Sequence, residues 1–173
     1  MKKRVLILLL LLLPLVGCDQ FSKVQAVNYL MGSQPISYLN GFLVLTYHEN
    51  PGAFLSLGAS LPHETRTIIF SAFVTLFLLA VFAYLCLKPL SNASFIVGSL
   101  ILAGGIGNVY DRLTNTGRVI DFVLLQLGPL HTGVFNLADV LIMLGVFLAA
   151  FFSTKWGENL TNKLSRSRWS LGR

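Results

Sequence analysis

Four apolar runs divide the chain, with charges gathered at their ends. The first runs from Val5 to Cys18, behind Lys2-Lys3-Arg4. The second, Thr67 to Leu87, is 21 residues without a charge. The third, Ala93 to Tyr110, has 18 residues, and the fourth, Phe135 to Thr154, has 20 with one charge, Asp139. About 20 apolar residues in a helix cross the hydrocarbon core of a bilayer, so the last three runs qualify alone. The first qualifies if its helix continues past Asp19 through Phe21 and Val24. The predicted spans are about 5–26, 67–87, 93–110 and 135–154. Between the first two, Gly41 to Tyr47 is rich in strand-favouring residues, and Ala53 to Leu57 reads as a second strand. Glu49-Asn50-Pro51-Gly52 lies between them, and proline followed by glycine suits a type II turn. The pattern predicts an all-α membrane protein of four transmembrane helices. A small extracytoplasmic β-hairpin, at about 38–60, rests on the membrane between the first two.

Composition agrees. Hydrophobic residues make up 54% and charged residues 12% of the chain, whereas a soluble domain carries about 25% charged residues. The net charge of +6 sits beside apolar runs rather than on an aromatic-bearing face, which fits anionic membrane lipids and argues against nucleic acid. Cys18 and Cys86 both fall in or beside apolar runs, with neither a disulfide framework nor a metal-type spacing.

Lysine and arginine set the orientation. With the N-terminus inside, the inner segments hold Lys2, Lys3, Arg4, Lys88, Lys155, Lys163, Arg166, Arg168 and Arg173, nine of the 13. Lys23, Arg66, Arg112 and Arg118 are left outside. Of seven acidic residues only Glu158 lies inside. Both termini are therefore expected in the cytoplasm, with the chemistry on the outer face. Residues 1–154 read as one membrane-embedded domain and 155–173 as a basic cytoplasmic tail.

A carboxylate at a membrane edge is costly and is a candidate functional group. Asp121 and Asp139 are two such residues. Asp139 also fits a capping box with Asn136 at the head of the fourth helix, and Asp121 alone also reads as an ordinary loop aspartate. Brought together, two carboxylates share one proton. The ionised one is a general base toward water, and the protonated one polarises a scissile carbonyl. Asn108, Asp111 and Arg112 share one face of the third helix, with Gly104 a turn earlier, where another helix can approach closely. Interfacial anchoring accounts for Tyr110 and Arg112 but poorly for Asn108 and Asp111. Asp19, Ser22 and Lys23 make a similar face, which a local ion pair also explains. Other protease chemistries fail. His63-Glu64 lacks the second histidine of a zinc motif, because position 67 is Thr67. His48, His63 and His131 have no ligand-like spacing, and no separated serine–lysine pair or phosphate-binding glycine loop occurs.

Five pieces stand in order: Asp19 to Lys23, Asn50 to Ala53, Gly107 to Arg112, Gly117 to Phe122, and Phe135 to Asp139. In these the chain resembles the lipoprotein signal peptidases, or signal peptidase II, aspartic proteases of the bacterial inner membrane. The resemblance implies Asp121 and Asp139 as the catalytic dyad. It implies substrate-binding or supporting roles for Asp19, Lys23, Asn50, Gly52, Asn108, Asp111, Arg112 and Asn136. It also implies a substrate: a prolipoprotein with a diacylglyceryl-modified cysteine, cut just before that cysteine. No metal or organic cofactor is implied, and nothing in the chain asks for more than a monomer. One departure stands out. Ala53 is followed by Phe54 and Leu55, where the family has two small residues and then an aromatic.

Two other classes stay open on the residues alone. Lys2-Lys3-Arg4, the leucine run and Leu15-Val16-Gly17-Cys18 also form a lipoprotein signal peptide with a lipobox. That allows a non-enzymatic lipoprotein, or cleavage of this chain before Cys18. Acids at membrane edges also allow a small transporter or proton relay, although transporters place charges nearer the bilayer centre.

Overall fold

The computed structural model describes residues 2–52, 60–62, 65, 68–157 and 159. The expected strand Ala53–Leu57, the Ala53-Phe54-Leu55 departure, His63, Glu64 and most of the basic tail lie outside them.

The first apolar run and the polar stretch behind it form one helix, α1 (Lys2–Leu30), which passes unbroken through Cys18 and Asp19. A π-helical turn, Ile68–Phe73, leads into α2 (Val74–Leu87). Helix α3 (Asn92–Thr114) starts at Ser91, whose hydroxyl accepts the Ser94 N–H, and α4 (Leu137–Phe152) starts at Asn136. The sheet comprises β1 (Ile36–Tyr38), β2 (Leu43–Asn50), β3 (Val119–Leu127) and β4 (Leu130–His131), antiparallel in that order.

The sheet departs from the expected hairpin, and the four apolar helices differ in length. Strand β2 pairs with β3, a segment that follows the third helix, as well as with β1. Asp121 is therefore a strand residue facing inward, not part of a solvated turn. Gly117, at φ 80°, supplies the left-handed turn that sends the chain from α3 into β3. Among the described residues, Lys2–Leu30 and Asn92–Thr114 are long and apolar enough to cross a membrane, whereas Ser71–Leu87 and Leu137–Phe152 are apolar but shorter. At 1.5 Å per residue the 16 residues of α4 reach only about 24 Å. Its start is fixed at Leu137 because Asn136 is held as the cap.

Helix α3 is the centre of the bundle and packs against α1, α2 and α4, while β2 and β3 rest on α1. Leu8, Leu12, Leu78, Leu85, Leu102, Ala103 and Leu141 form the apolar core. Outward faces are apolar as well: Leu6, Leu10, Leu13, Leu76, Leu79 and Phe147 are exposed. The most deeply buried side chains include Lys23, Asn136, Asp19, Asp111 and Asp121. Charge inside and hydrocarbon outside is the arrangement a bilayer selects.

Close approach of α3 and α4 depends on Gly104. A Cβ there would strike the Ala138 carbonyl oxygen, whereas one at Gly105 would meet only the Leu78 side chain. Gly104→Ala is expected to cost about 1–3 kcal/mol, as overpacking does when backbone cannot yield. Gly105→Ala should cost clearly less. Thermal unfolding in detergent checks the order, and equal losses would contradict it.

Candidate active site

Five elements, α1, β2, α3, β3 and α4, meet at one end of the bundle, and the ten residues to which the resemblance gives roles fall into one hydrogen-bonded network there. Asn136 sits at its centre. As N-cap of α4 its Oδ1 accepts the Asp139 N–H at 2.9 Å, and its own N–H donates to Asp139 Oδ2 at 3.3 Å. This is the expected capping box. The side-chain amide of the same residue donates to Asp121 Oδ1 at 2.7 Å. One asparagine thus contacts both carboxylates.

Each carboxylate has a second amide donor. Asn108 Nδ2 donates to Asp139 Oδ1 at 2.9 Å, and Asn50 Nδ2 donates to Asp121 Oδ2 at 2.9 Å. Asn50 is itself fixed, because its Oδ1 accepts the Gly52 N–H at 2.9 Å. The sheet register explains its reach. Asn50 pairs with Val119, so Asp121 is its diagonal neighbour on the same face. Alternate residues point the other way, where Arg118 Nη1 meets Glu49 Oε2 at 2.8 Å and Tyr47 donates to the same carboxylate. Those two donors hold the Glu49 carboxyl below its ordinary range, Arg118 contributing most.

Behind the carboxylates lies a buried charge cluster. Lys23 Nζ is 2.9 Å from Asp19 Oδ2, 2.9 Å from Asp111 Oδ2 and 3.1 Å from Asn108 Oδ1. Asp19 and Lys23 are four apart on α1, so the local pair exists, yet its partners on α3 make it a tie between helices. Asp19 Oδ1 also accepts the Ala138 N–H at 2.8 Å, and Asp111 Oδ2 accepts the Ile120 N–H at 3.0 Å. Gly107 leaves room for Asp19, whose carboxylate a Cβ would strike. Arg112 is buried rather than anchored in an interface. Its guanidinium donates to the carbonyls of Gly52 at 2.6 Å and Asn108 at 3.2 Å. Tyr110 is exposed, as an interfacial anchor would be.

Sequence reasoning gave Gln20 no role. Its Nε2 lies 2.9 Å from Asp111 Oδ1, 3.1 Å from Asp19 Oδ2 and 3.2 Å from the Gly107 carbonyl. Its place next to Asp19 was the available signal. Ser22 stays outside the network, with its hydroxyl bonded to the Asp19 carbonyl one turn back.

Asp121 is fully buried. Burial pushes its carboxyl up to about 7; the Asn50 hydrogen bond pulls it down, and the charge of Asp139 pushes it up again. A proton held near neutrality beside a second carboxylate at a helix N-terminus is the equipment of acid/base hydrolysis.

The family model for signal peptidase II matches residues 11–155. The chain belongs to the signal peptidase II family. Proteins named lipoprotein signal peptidase resemble it over most of their length. That of Caldicellulosiruptor bescii is 37% identical over 139 residues, 80% of this chain and 85% of that protein. That of Syntrophus aciditrophicus is 31% identical over 147 residues, covering 84% and 91%. A solved bacterial membrane enzyme, determined by the in meso method at 1.9 Å, superposes with a TM-score of 0.73 at 25% identity. The match covers 86% of this chain and 93% of that one. As a signal peptidase II the chain is an aspartic peptidase and a membrane protein. That decides against the non-enzymatic lipoprotein and the transporter.

Proposed function

We propose that this signal peptidase II removes the signal peptide from diacylglyceryl-modified prolipoproteins, cutting just before the lipidated cysteine, with Asp121 and Asp139 as its catalytic pair. The observation that carries the assignment is Asn136, which hydrogen-bonds both carboxylates at the head of α4. The pair carries one proton, held by Asp121. Asp139 takes a proton from water as the oxygen attacks the scissile carbonyl carbon. Asp121 donates its proton to the carbonyl oxygen. Collapse of the tetrahedral intermediate breaks the C–N bond and delivers a proton to the cysteine amine, so the dyad again holds one proton. Asn50, Asn108 and Asn136 hold the carboxylates in place, and Lys23 and Arg112 offset the charges of Asp19 and Asp111.

The domain of residues 1–154 would sit in the bacterial inner membrane as a monomer with four spans, both termini and the 155–173 tail in the cytoplasm. The shorter α2 and α4 would cross with the help of their flanking residues. The charge bias of the loops and the gathering of acids at one end support this orientation.

The test is cleavage in lipid vesicles. A diacylated prolipoprotein should yield a product starting at its lipidated cysteine, and equal turnover of the unlipidated precursor would overturn the substrate assignment. Because the folded Asp121 sits at about 7, kcat/KM should fall as pH rises through about 7, where the shared proton is lost. Asn50→Ala removes a bond that lowers Asp121, so it should move that limb to higher pH. The same shift has a sign for stability. The folded value lies above the unfolded one, so stability from Asp121 is present at low pH and declines as pH rises from about 4 to about 7.

A further inference from the structure

A seam runs down one side of the bundle from the carboxylates. Among the described residues, α2 and α4 each pack along α3 but make no extended contact with one another. Both seat on α3 through glycine, Leu78 against Gly105 and Gly145 against Ile101. At the end of the seam far from the carboxylates, the helices leave a cavity of about 440 Å³. Val81 and Tyr84 of α2, Ser94 and Gly98 of α3, and Ala149 with the adjoining Ser153 line it. Gly98, Gly105 and Arg112 are seven residues apart, so they share one face of α3. The cavity and Arg112 of the polar network therefore lie along the same face of α3.

We propose that this cavity seats the beginning of the substrate's apolar leader helix, and so sets the leader length the enzyme accepts. The inference rests on the function proposed above. From Gly98 to Asn108 is ten residues and from Ser94 to Asn108 fourteen, about 15 and 21 Å along the helix axis. The apolar part of a secretory leader, about 7–15 residues, spans roughly 10–22 Å as a helix. A leader whose cut end lies at Asp139 thus brings the start of its apolar part to the cavity. The lining suits that junction. Val81, Gly98 and Ala149 offer apolar lining, and Tyr84, Ser94 and Ser153 add polar side chains to the same wall, where the leader turns polar. The cavity also falls within the roughly 300–1,000 Å³ of pockets that bind ligands.

Ala149 is exposed, so Ala149→Trp fills the cavity without entering the core; Ser153→Trp does so from the helix end. Phe147→Trp puts similar bulk on the opposite, exposed face of α4. Two diacylated prolipoproteins are compared in vesicles, one with its full leader and one with four residues removed from the apolar stretch. Either cavity variant should raise KM about tenfold for the full leader at unchanged kcat, and leave the shortened one within about twofold of wild type. Phe147→Trp should change neither. Retained cleavage of the short leader shows that the variants are folded. Equal KM changes for both leaders, or none in either cavity variant, would overturn the inference while wild-type cleavage upholds the function. Wild type that cuts neither substrate would sink both.

Discussion

Asp139→Asn and Asp121→Asn are each expected to lower prolipoprotein cleavage by about 1,000-fold or more, in the middle to upper part of the roughly 100- to 10,000-fold that a positioned acid or base contributes. Neither should unfold the protein. An asparagine at 139 keeps an oxygen for the Asn136 N–H or the Asn108 amide, and one at 121 keeps an oxygen for Asn50 or Asn136. Each variant loses one accepting oxygen but also loses a buried like charge beside its partner, and the two changes oppose one another. Single-turnover rates on a diacylated substrate, read together with unfolding temperature, separate lost chemistry from a lost fold. A variant that keeps more than about a tenth of wild-type turnover would remove that residue from the dyad.

The two aspartates differ in how far a linear reading could reach them. Asp139 was legible because its signals are local. An apolar run, an asparagine and an aspartate three residues on specify a capped helix, and the helix formed as that pattern requires. Asp121 was legible only through its flanking motifs. Its strand is made by pairing with β2, about seventy residues earlier, and no local periodicity encodes a partner at that distance. The strand is apolar on both faces, from Val119 to Leu125, so alternation gives no cue. Asn108, Asp111 and Arg112 share the helix face that 3.6-residue spacing predicts, but that spacing does not encode their division of labour. Asn108 turns to Asp139, Asp111 to Lys23, and Arg112 to the Gly52 carbonyl. Those directions depend on where α1 and α4 land on α3, which small residues such as Gly104 and Gly107 decide by admitting them closely.

The larger effect on folding falls on Lys23. Its ammonium is 1% exposed and answers two buried carboxylates, Asp19 and Asp111. Lys23→Met should cost about 3–5 kcal/mol, the range for breaking a buried pair and leaving its partner charged. For a chain of this size that is a drop in unfolding temperature of roughly 6–20 °C. Arg118→Met makes the contrast. Its pair with Glu49 is half exposed, at 50% and 26%, and such pairs contribute about 0–1 kcal/mol. The buried case has a further signature. Adding Asp19→Asn and Asp111→Asn to Lys23→Met should restore part of the loss, because neutral partners no longer strand a charge while an amide oxygen can still accept from Ala138 and Ile120. If Lys23→Met proved no more costly than Arg118→Met, the Lys23 ion pairs would be bystanders, and the docking of α1 on α3 would rest on apolar packing and the Gln20 hydrogen bonds.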